Sequence, residues 1–331
     1  MRRSPSRIAS LALGLAIASA AFTSASAQTQ SFPQRPITMM VGFPPGTAPD
    51  TLARLVADPL AKALGQPVII DNRPGAGGQI AAAALARGTR DGYQIMLGDL
   101  GAVGIAPFAF KPLSYDSARD FVPISEVART EFVWVVPSQR PHRTLSDFLA
   151  ASKGSSNRVL VATFGVGSPA HLGAEILALQ GGFTVEPVHF RTPAEGLAAF
   201  ASGQVEGSFF SVPFAGAQLP AGRIRALFQT GPSRSRVLPP DIPTAAEVGL
   251  PDLRIAAWMM LLAPSGTPAE VVDRLGRAIA EVLKDQALAR KIEDMGFNVV
   301  GSLPADAASR LRSELTRWAQ VVERSGVKIT N

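Results

Sequence analysis

The sequence predicts an α/β protein of two lobes, each a doubly wound sheet flanked by helices. Three observations carry this prediction. Short apolar runs alternate with helical spacings across short turns, the pattern of strands joined by crossover helices. The alternation restarts near residue 132 and ends in a strongly helical C-terminal section. The chain, at 331 residues, is also longer than one core usually organises.

The elements follow in order. Residues 37–41 read as a strand closed by Gly42-Phe-Pro-Pro-Gly46. Residues 50–64 show helical spacing, with Leu52, Leu55, Val56, Leu60 and Leu64 on one face and Gly65 as the stop. Pro59 falls inside that helix and predicts a kink or an early turn. Residues 67–70 form a second strand, 72–75 a turn, the alanine-rich 77–87 a helix, and 93–97 a third strand. A parallel sheet with helices on both faces is the expected result. Strands are then predicted at 132–136, 159–163, 185–190 and 205–210, with helices at 144–153, 169–180 and 193–201. The final section is predicted helical over 268–284 and 304–325, opened by Thr267-Pro268 with Glu270 and by Pro304-Ala-Asp306. Two α/β units with a returning helical end imply lobes joined by more than one crossing.

Residues 1–27 read as a cleavable export signal. Arg2, Arg3 and Arg7 precede an apolar stretch over 8–22, and Ala25-Ser26-Ala27 offers a small–x–small cleavage site. The segment after Arg2-Arg3 lacks the apolar residues expected for twin-arginine export, which favours the general secretory route. Removal takes three arginines and no acid, lowering the formal charge from +6 to +3. That balance, over about 300 residues, is no footprint for nucleic acid. No cysteine is present, so disulfides, thiolate zinc sites and a cysteine nucleophile are excluded.

Searches for catalytic signatures fail. There is no Gly-x-Ser-x-Gly elbow, Walker A sequence or His-Glu-x-x-His. Gly75-Ala-Gly77-Gly78-Gln79-Ile80 has an isoleucine where a dinucleotide fingerprint needs its third glycine. His142, His171 and His189 lack metal-ligand spacing, and no metal or cofactor is expected. Ser168 and His171, three apart at a helix start, suit capping better than nucleophilic attack.

What recurs is a Gly- or Pro-rich junction between a strand and a helix. Four occur: Phe43 to Asp50, Pro74 to Gly78, Gly165 to His171, and Arg191-Thr-Pro193. Such junctions lie at the carboxyl edge of an open sheet, where ligands bind. Unpaired N–H groups at helix starts attract small anions, and glycine permits close approach. Each junction also has a purely structural reading. Asp50 can cap its helix, Asp71 can hold the turn at Arg73, and Arg191 can be a solvated surface charge.

Read in order, these junctions resemble the substrate-binding proteins of tripartite tricarboxylate transporters, the Bug family. The likeness runs from Phe32-Pro-Gln-Arg-Pro-Ile37 through Gly42-Phe-Pro-Pro-Gly46, Asn72-Arg-Pro-Gly-Ala-Gly-Gly78, Asp91-Gly-Tyr93 and Asp120-Phe-Val-Pro123. It continues through Gly165-Val-Gly-Ser168 with His171 and Glu175, Ser202-Gly-Gln-Val205, Leu238-Pro-Pro-Asp-Ile-Pro-Thr244, Trp258, Ala263-Pro-Ser-Gly-Thr-Pro268 and Trp318. The resemblance implies a two-lobed periplasmic-binding-protein fold. Residues 28–126 and 230–331 would form the first domain, and residues 127–229 the inserted second. It implies no enzyme, but a periplasmic monomer that holds a small carboxylate between its lobes and hands it to membrane permease subunits. Carried over by motif, Phe43, Gly46, Thr47, Ala48, Gly77 and Gly78 would serve the first lobe, beside Asp50. Ser168, His171, Arg191, Thr192 and Ser211 would serve the second.

Three departures bear on specificity. Gly46-Thr47 replaces the family's common two glycines, and Phe190-Arg191-Thr192 replaces Tyr-Lys-Gly. The arginine fork suits bidentate carboxylate recognition. Ser211 stands where the family often has an acid, which predicts a carboxylate ligand without an amine and with room for an apolar portion. Two other readings use the same residues: a ligand sensor passing its closed state to a signalling partner, and an exported α/β hydrolase built on Ser168 and His171.

Overall fold

Alternation of buried side chains along short strands positions everything else in this chain. The computed structural model describes residues 32–153, 158–165, 167–190, 192–325 and 329–330, so the predicted export signal and Arg191 lie outside the described residues. The first lobe opens with β1 (Ile37–Val41), α1 (Ala48–Leu64), β2 (Val68–Asn72), α2 (Gln79–Ala86) and β3 (Gln94–Asp99). β1 pairs in parallel with both β2 and β3. Ile37, Met39 and Val41 face one core with Leu52, Val56 and Leu60, whereas Met40 faces a second core with Ala81, Ala82 and Leu85. That is the period of two expected for a sheet covered on both faces.

Helix α1 runs unbroken through Pro59, against the expected kink or early turn. An interior proline costs about 3 kcal/mol. Leu52, Val56, Leu60 and Leu64 are all buried on its inner face. Each contributes roughly 1.5–3 kcal/mol of burial, which outweighs the proline. Gly65, at φ 74°, ends the helix in the left-handed conformation.

Two long strands were not foreseen as such. β4 (Phe121–Pro137) is 17 residues long, where the sequence pattern predicts only 132–136. β9 (Ala256–Pro264) reads as a continuous apolar run buried on both faces and lies between β3 and β4, antiparallel to each. The first sheet is therefore mixed, in the order β2-β1-β3-β9-β4, and not wholly parallel.

The second lobe contains α3 (Leu145–Lys153), β5 (Val159–Thr163), α4 (Pro169–Gly181), β6 (Val185–His189), α5 (Pro193–Ala201), β7 (Gly207–Ser211), α6 (Val212–Gln218) and β8 (Ile224–Gln229). Its sheet begins on the far half of β4. Residues 121–131 of β4 pair with β9, whereas Phe132 to Pro137 pair with β7 and β8. β5 runs parallel to β6 and β7. Beyond β8, Leu238, Ile242, Ala245, Leu253 and Ile255 still pack into second-lobe cores before the chain returns.

The C-terminal section holds three helices where two were predicted: α7 (Ala269–Val282), α8 (Gln286–Asp294) and α9 (Pro304–Ser325). Asp285 caps α8 by accepting from the Leu288 N–H. Thr267 does not cap α7. Its hydroxyl donates back to the Pro264 carbonyl, and Pro268 occupies the cap position. α9 is tied to β9 by Glu314, whose Oε2 accepts from the indole N–H groups of Trp258 and Trp318 at 3.2 and 2.9 Å. Arg310 and Arg317 face its other oxygen at 3.3 and 3.9 Å. Glu314→Ala would leave two buried indoles without their acceptor and remove the carboxylate that Arg310 and Arg317 share. The expected loss is about 3–5 kcal/mol, read as a lowered urea midpoint with an unchanged slope.

Candidate functional site

The strand-to-helix junctions meet in one place. A cavity of about 500 Å³ opens between the lobes. Phe43, Ala76, Gly77, Gln79, Asp99, Gly101 and Phe110 line it from the first lobe, and Phe164, Gly165, Gly167, Ser168 and Pro169 from the second. A larger groove of about 860 Å³ runs along the outer side of the first lobe between α1 and α8, bordered by Pro45, Gly46 and Asp50 of the first junction and by none of the second-lobe junctions.

The β1–α1 loop is held by Asp50. Its Oδ2 accepts from the Gly46 N–H and Arg54 Nε, and its Oδ1 from Asn72 Nδ2. The same Asn72 amide donates to the Phe43 carbonyl, which fixes the loop that presents the Phe43 ring. Hydrogen bonding from Arg54, with those from Gly46 and Asn72, outweighs burial and holds the Asp50 carboxyl at about 2. Asp50 is thus committed within its own lobe. Thr47 caps α1 by position, but its hydroxyl donates to the Pro44 carbonyl. Gly46 and Asp50 border the outer groove, and Thr47 and Ala48 are not among the residues lining the cleft.

Beside it, residues 75–78 all take positive φ, with Ala76 at 47°. Ala76 is the single non-glycine in that region among the described residues. Left-handed backbone costs a non-glycine residue roughly 1–2 kcal/mol, and such strain gathers at ligand sites. Gly78 lies against Gly42 so closely that a Cβ on Gly42 would stand 2.7 Å from the Gly78 Cα. The two first-lobe loops therefore touch backbone to backbone.

β3 supplies a third first-lobe junction that the sequence reading ended too early to include. Asp99 closes the strand, and its Oδ2 accepts from the Gly101 N–H at 2.8 Å. Its Oδ1 is sealed from bulk water without a partner. Burial lifts the carboxyl to about 6, against the backbone hydrogen bonds that would lower it. Gly98-Asp-Leu-Gly101 is itself a glycine-flanked passage from a strand straight into a helix begun at Leu100, so its glycine signal resembles that of the other junctions.

In the second lobe, Gly165 and Gly167 take φ of 108° and 72° and turn the chain into α4. Ser168 caps α4 through its Oγ, which accepts from the His171 backbone N–H. His171 is buried, and its Nδ1 accepts from the Gly167 N–H at 3.0 Å. The ring proton therefore sits on Nε2, 3.8 Å from Glu175 Oε1. Burial, then the neighbouring His189, depress His171 to about 4 and keep it neutral. The Ser168 hydroxyl meets a backbone amide and not the imidazole, so the pair is a cap and not a nucleophile with its base. Thr192 caps α5 by accepting from the Glu195 N–H, and Ser211 leads from β7 into α6. Neither is among the residues lining the cleft. No group of His, Asp and Glu suited to a metal ion occurs among the described residues.

Two lobes that face each other across a junction-lined cleft define a solute-binding protein of the periplasmic type. The chain belongs to the tripartite tricarboxylate transporter family of receptors, whose profile matches residues 52–327. It is 32% identical over 310 residues to a protein from the tcbD–tcbE intergenic region of Pseudomonas sp. strain P51, covering 93% of this chain and 92% of that one. MatC from Rhodopseudomonas palustris, solved with bound malate, is 32% identical with a TM-score of 0.73, over 88% of this chain and all of that one. Rpa4515 from the same organism, solved with adipate, is 30% identical with a TM-score of 0.77, over 91% of this chain and all of that one. Family membership identifies a periplasmic binding protein and not an enzyme.

Two outcomes follow from this geometry. Gly42→Ala should cost about 1–3 kcal/mol, since two backbones must part, and chemical denaturation measures it. Asp99 binds its proton more tightly folded than unfolded, so stability is complete below about pH 4 and falls as pH rises toward 6. Asp99→Asn should remove that fall, gaining roughly 2 kcal/mol on the parent between pH 4 and pH 7 in urea titrations.

Proposed function

We propose that the mature chain, freed of residues 1–27 in the periplasm, captures a small carboxylate between its lobes and delivers it to membrane permease subunits. The observation that supports this reading is the cleft of about 500 Å³ into which Ser168 and the start of α4 project from one lobe and the positive-φ loop at Gly77 from the other. Helix starts and left-handed glycine turns present backbone N–H groups to an anion. The volume falls within the range of small-molecule sites. Malate in MatC and adipate in Rpa4515 point to the same ligand class.

In this scheme Phe43, Gly77 and Ser168 meet the ligand, and Gly78, packed against Gly42 behind them, holds the two first-lobe loops together. Gly46, Thr47, Ala48 and Asp50 hold the first loop, and His171 fixes Ser168. Arg191, Thr192 and Ser211 are assigned to the ligand on the second-lobe side by the family resemblance alone. Closure by rotation about the crossings is favoured because the ligand bonds to both faces. We place the limits of the second lobe near residues 132 and 255, where β4 changes partners and β9 begins, and the working unit is a monomer without metal or cofactor.

Thermal-shift titration of the mature protein with malate and adipate tests the reading. At a hundredfold excess over Kd, a bound ligand stabilises by about 2.7 kcal/mol. Ser168→Ala should weaken binding about tenfold by removing one hydrogen bond to a charged group, while lost capping lowers ligand-free stability by about 1 kcal/mol. Absence of any shift across a panel of small carboxylates would refute the proposal.

A further inference from the structure

Asp99 is the charged cleft residue that capture of a carboxylate leaves without a role. It lies on the first-lobe wall of the cavity whose second-lobe wall carries Ser168. No Lys, Arg or His pairs with it among the described residues, and its hydrogen-bond partners are backbone N–H groups of the turn it caps. Oδ1 has no partner, and a Cβ on Gly78 would stand 3.2 Å from it. An ionised carboxylate only accepts hydrogen bonds. Left facing an apolar group it stays under-solvated, and a second carboxylate beside it would be repelled.

The two walls thus ask for different chemistry. The second-lobe wall offers the Ser168 hydroxyl and the start of α4, which suit an anion. The first-lobe wall offers the Gly77 loop to an anion as well, but beside it stands the Asp99 acceptor. We propose that Asp99 sets specificity within the carboxylate class, selecting ligands that bear a hydrogen-bond donor, a hydroxyl or an ammonium, toward the first lobe. This rests on the carboxylate reading of the cleft and adds the second functional group of the ligand. A site built to bond a donor discriminates strongly against the analogue lacking it, because its own polar group is then left unpaired.

Protonation gives a second handle. With its carboxyl at about 6, Asp99 is a pure acceptor at pH 8 and largely a neutral acid at pH 5, able to donate to a plain diacid. The titratable neighbour that interacts with it is Tyr115, whose hydroxyl donates to the Ala102 carbonyl and whose pKa burial raises further above its ordinary value. Tyr115 therefore stays neutral across this range and does not compete.

Calorimetry on the mature protein decides the matter with two probe series that differ at one position: succinate, malate and aspartate, and adipate with 2-aminoadipate. At pH 8, a donor-bearing member should bind at least tenfold more tightly than the plain diacid of its series, and the ratio should shrink at pH 5. Asp99→Asn should bring the ratio within threefold. Asp99→Ser, which keeps a capping oxygen for Gly101, should do the same if the asparagine variant folds poorly. A plain diacid binding as tightly as its donor-bearing partner at pH 8, or an unchanged ratio in both variants, would overturn the assignment of Asp99 alone. Binding of no member of either series would overturn the carboxylate reading and this one with it.

Discussion

One strand runs through both lobes, and the rest of the molecule is arranged around it. β4 is buried along nearly its whole length and changes partners between Glu131 and Phe132. The returning chain crosses close by, and Thr230 binds the two crossings together. Its Oγ accepts from the Phe132 N–H at 3.0 Å and donates to the Ile255 carbonyl at 2.5 Å. A single hydroxyl, buried among apolar neighbours, thus joins the place where the chain leaves the first lobe to the place where it comes back. Rotation between the lobes must bend here, and the hydrogen bonds limit how far the two segments can separate.

The first lobe shows two acids in opposite states for opposite reasons. Asp50 is surrounded by donors from Arg54, Gly46 and Asn72, so its charge is neutralised locally and its proton is held weakly. Asp99 has backbone donors on one oxygen and nothing on the other, so burial dominates and its proton is held more tightly. The first builds a loop. The second keeps one oxygen unpaired and shut off from bulk water in the wall of the cleft, and a buried polar group without a partner calls for an explanation.

Much of the architecture was legible in the sequence because it rests on local pattern. Helix α1 shows its face at Leu52, Val56 and Leu60 and its stop at Gly65, and the glycine-rich turns mark the cleft loops directly. β9 was missed because a strand buried on both faces carries no alternation to read. The length of β4 was missed for a related reason: polar residues such as Glu126 and Glu131 interrupt its apolar pattern, although both are buried within the fold. Of the candidate site residues, Phe43, Gly77 and Ser168 line the cavity, while Gly46 and Asp50 border a groove elsewhere. Sequence spacing locates a junction but does not say which side of it faces inward. Asp99 was overlooked because its junction is short and holds no proline.

Helix α4 belongs to the second lobe, yet Leu172 on its first turn is fully buried with Trp258, Leu311, Leu315 and Trp318 of the first. Exposing a leucine side chain to water costs about 1.5–3 kcal/mol. Pulling the lobes straight apart would pay that cost, whereas pivoting about Leu172 would not. The helix that carries Ser168 to the cleft is therefore mounted like a lever, with its fulcrum one turn from its working end. A small angular change at Leu172 becomes a comparably small displacement at Ser168, so the mouth can tighten by fractions of an ångström without its fulcrum leaving its seat.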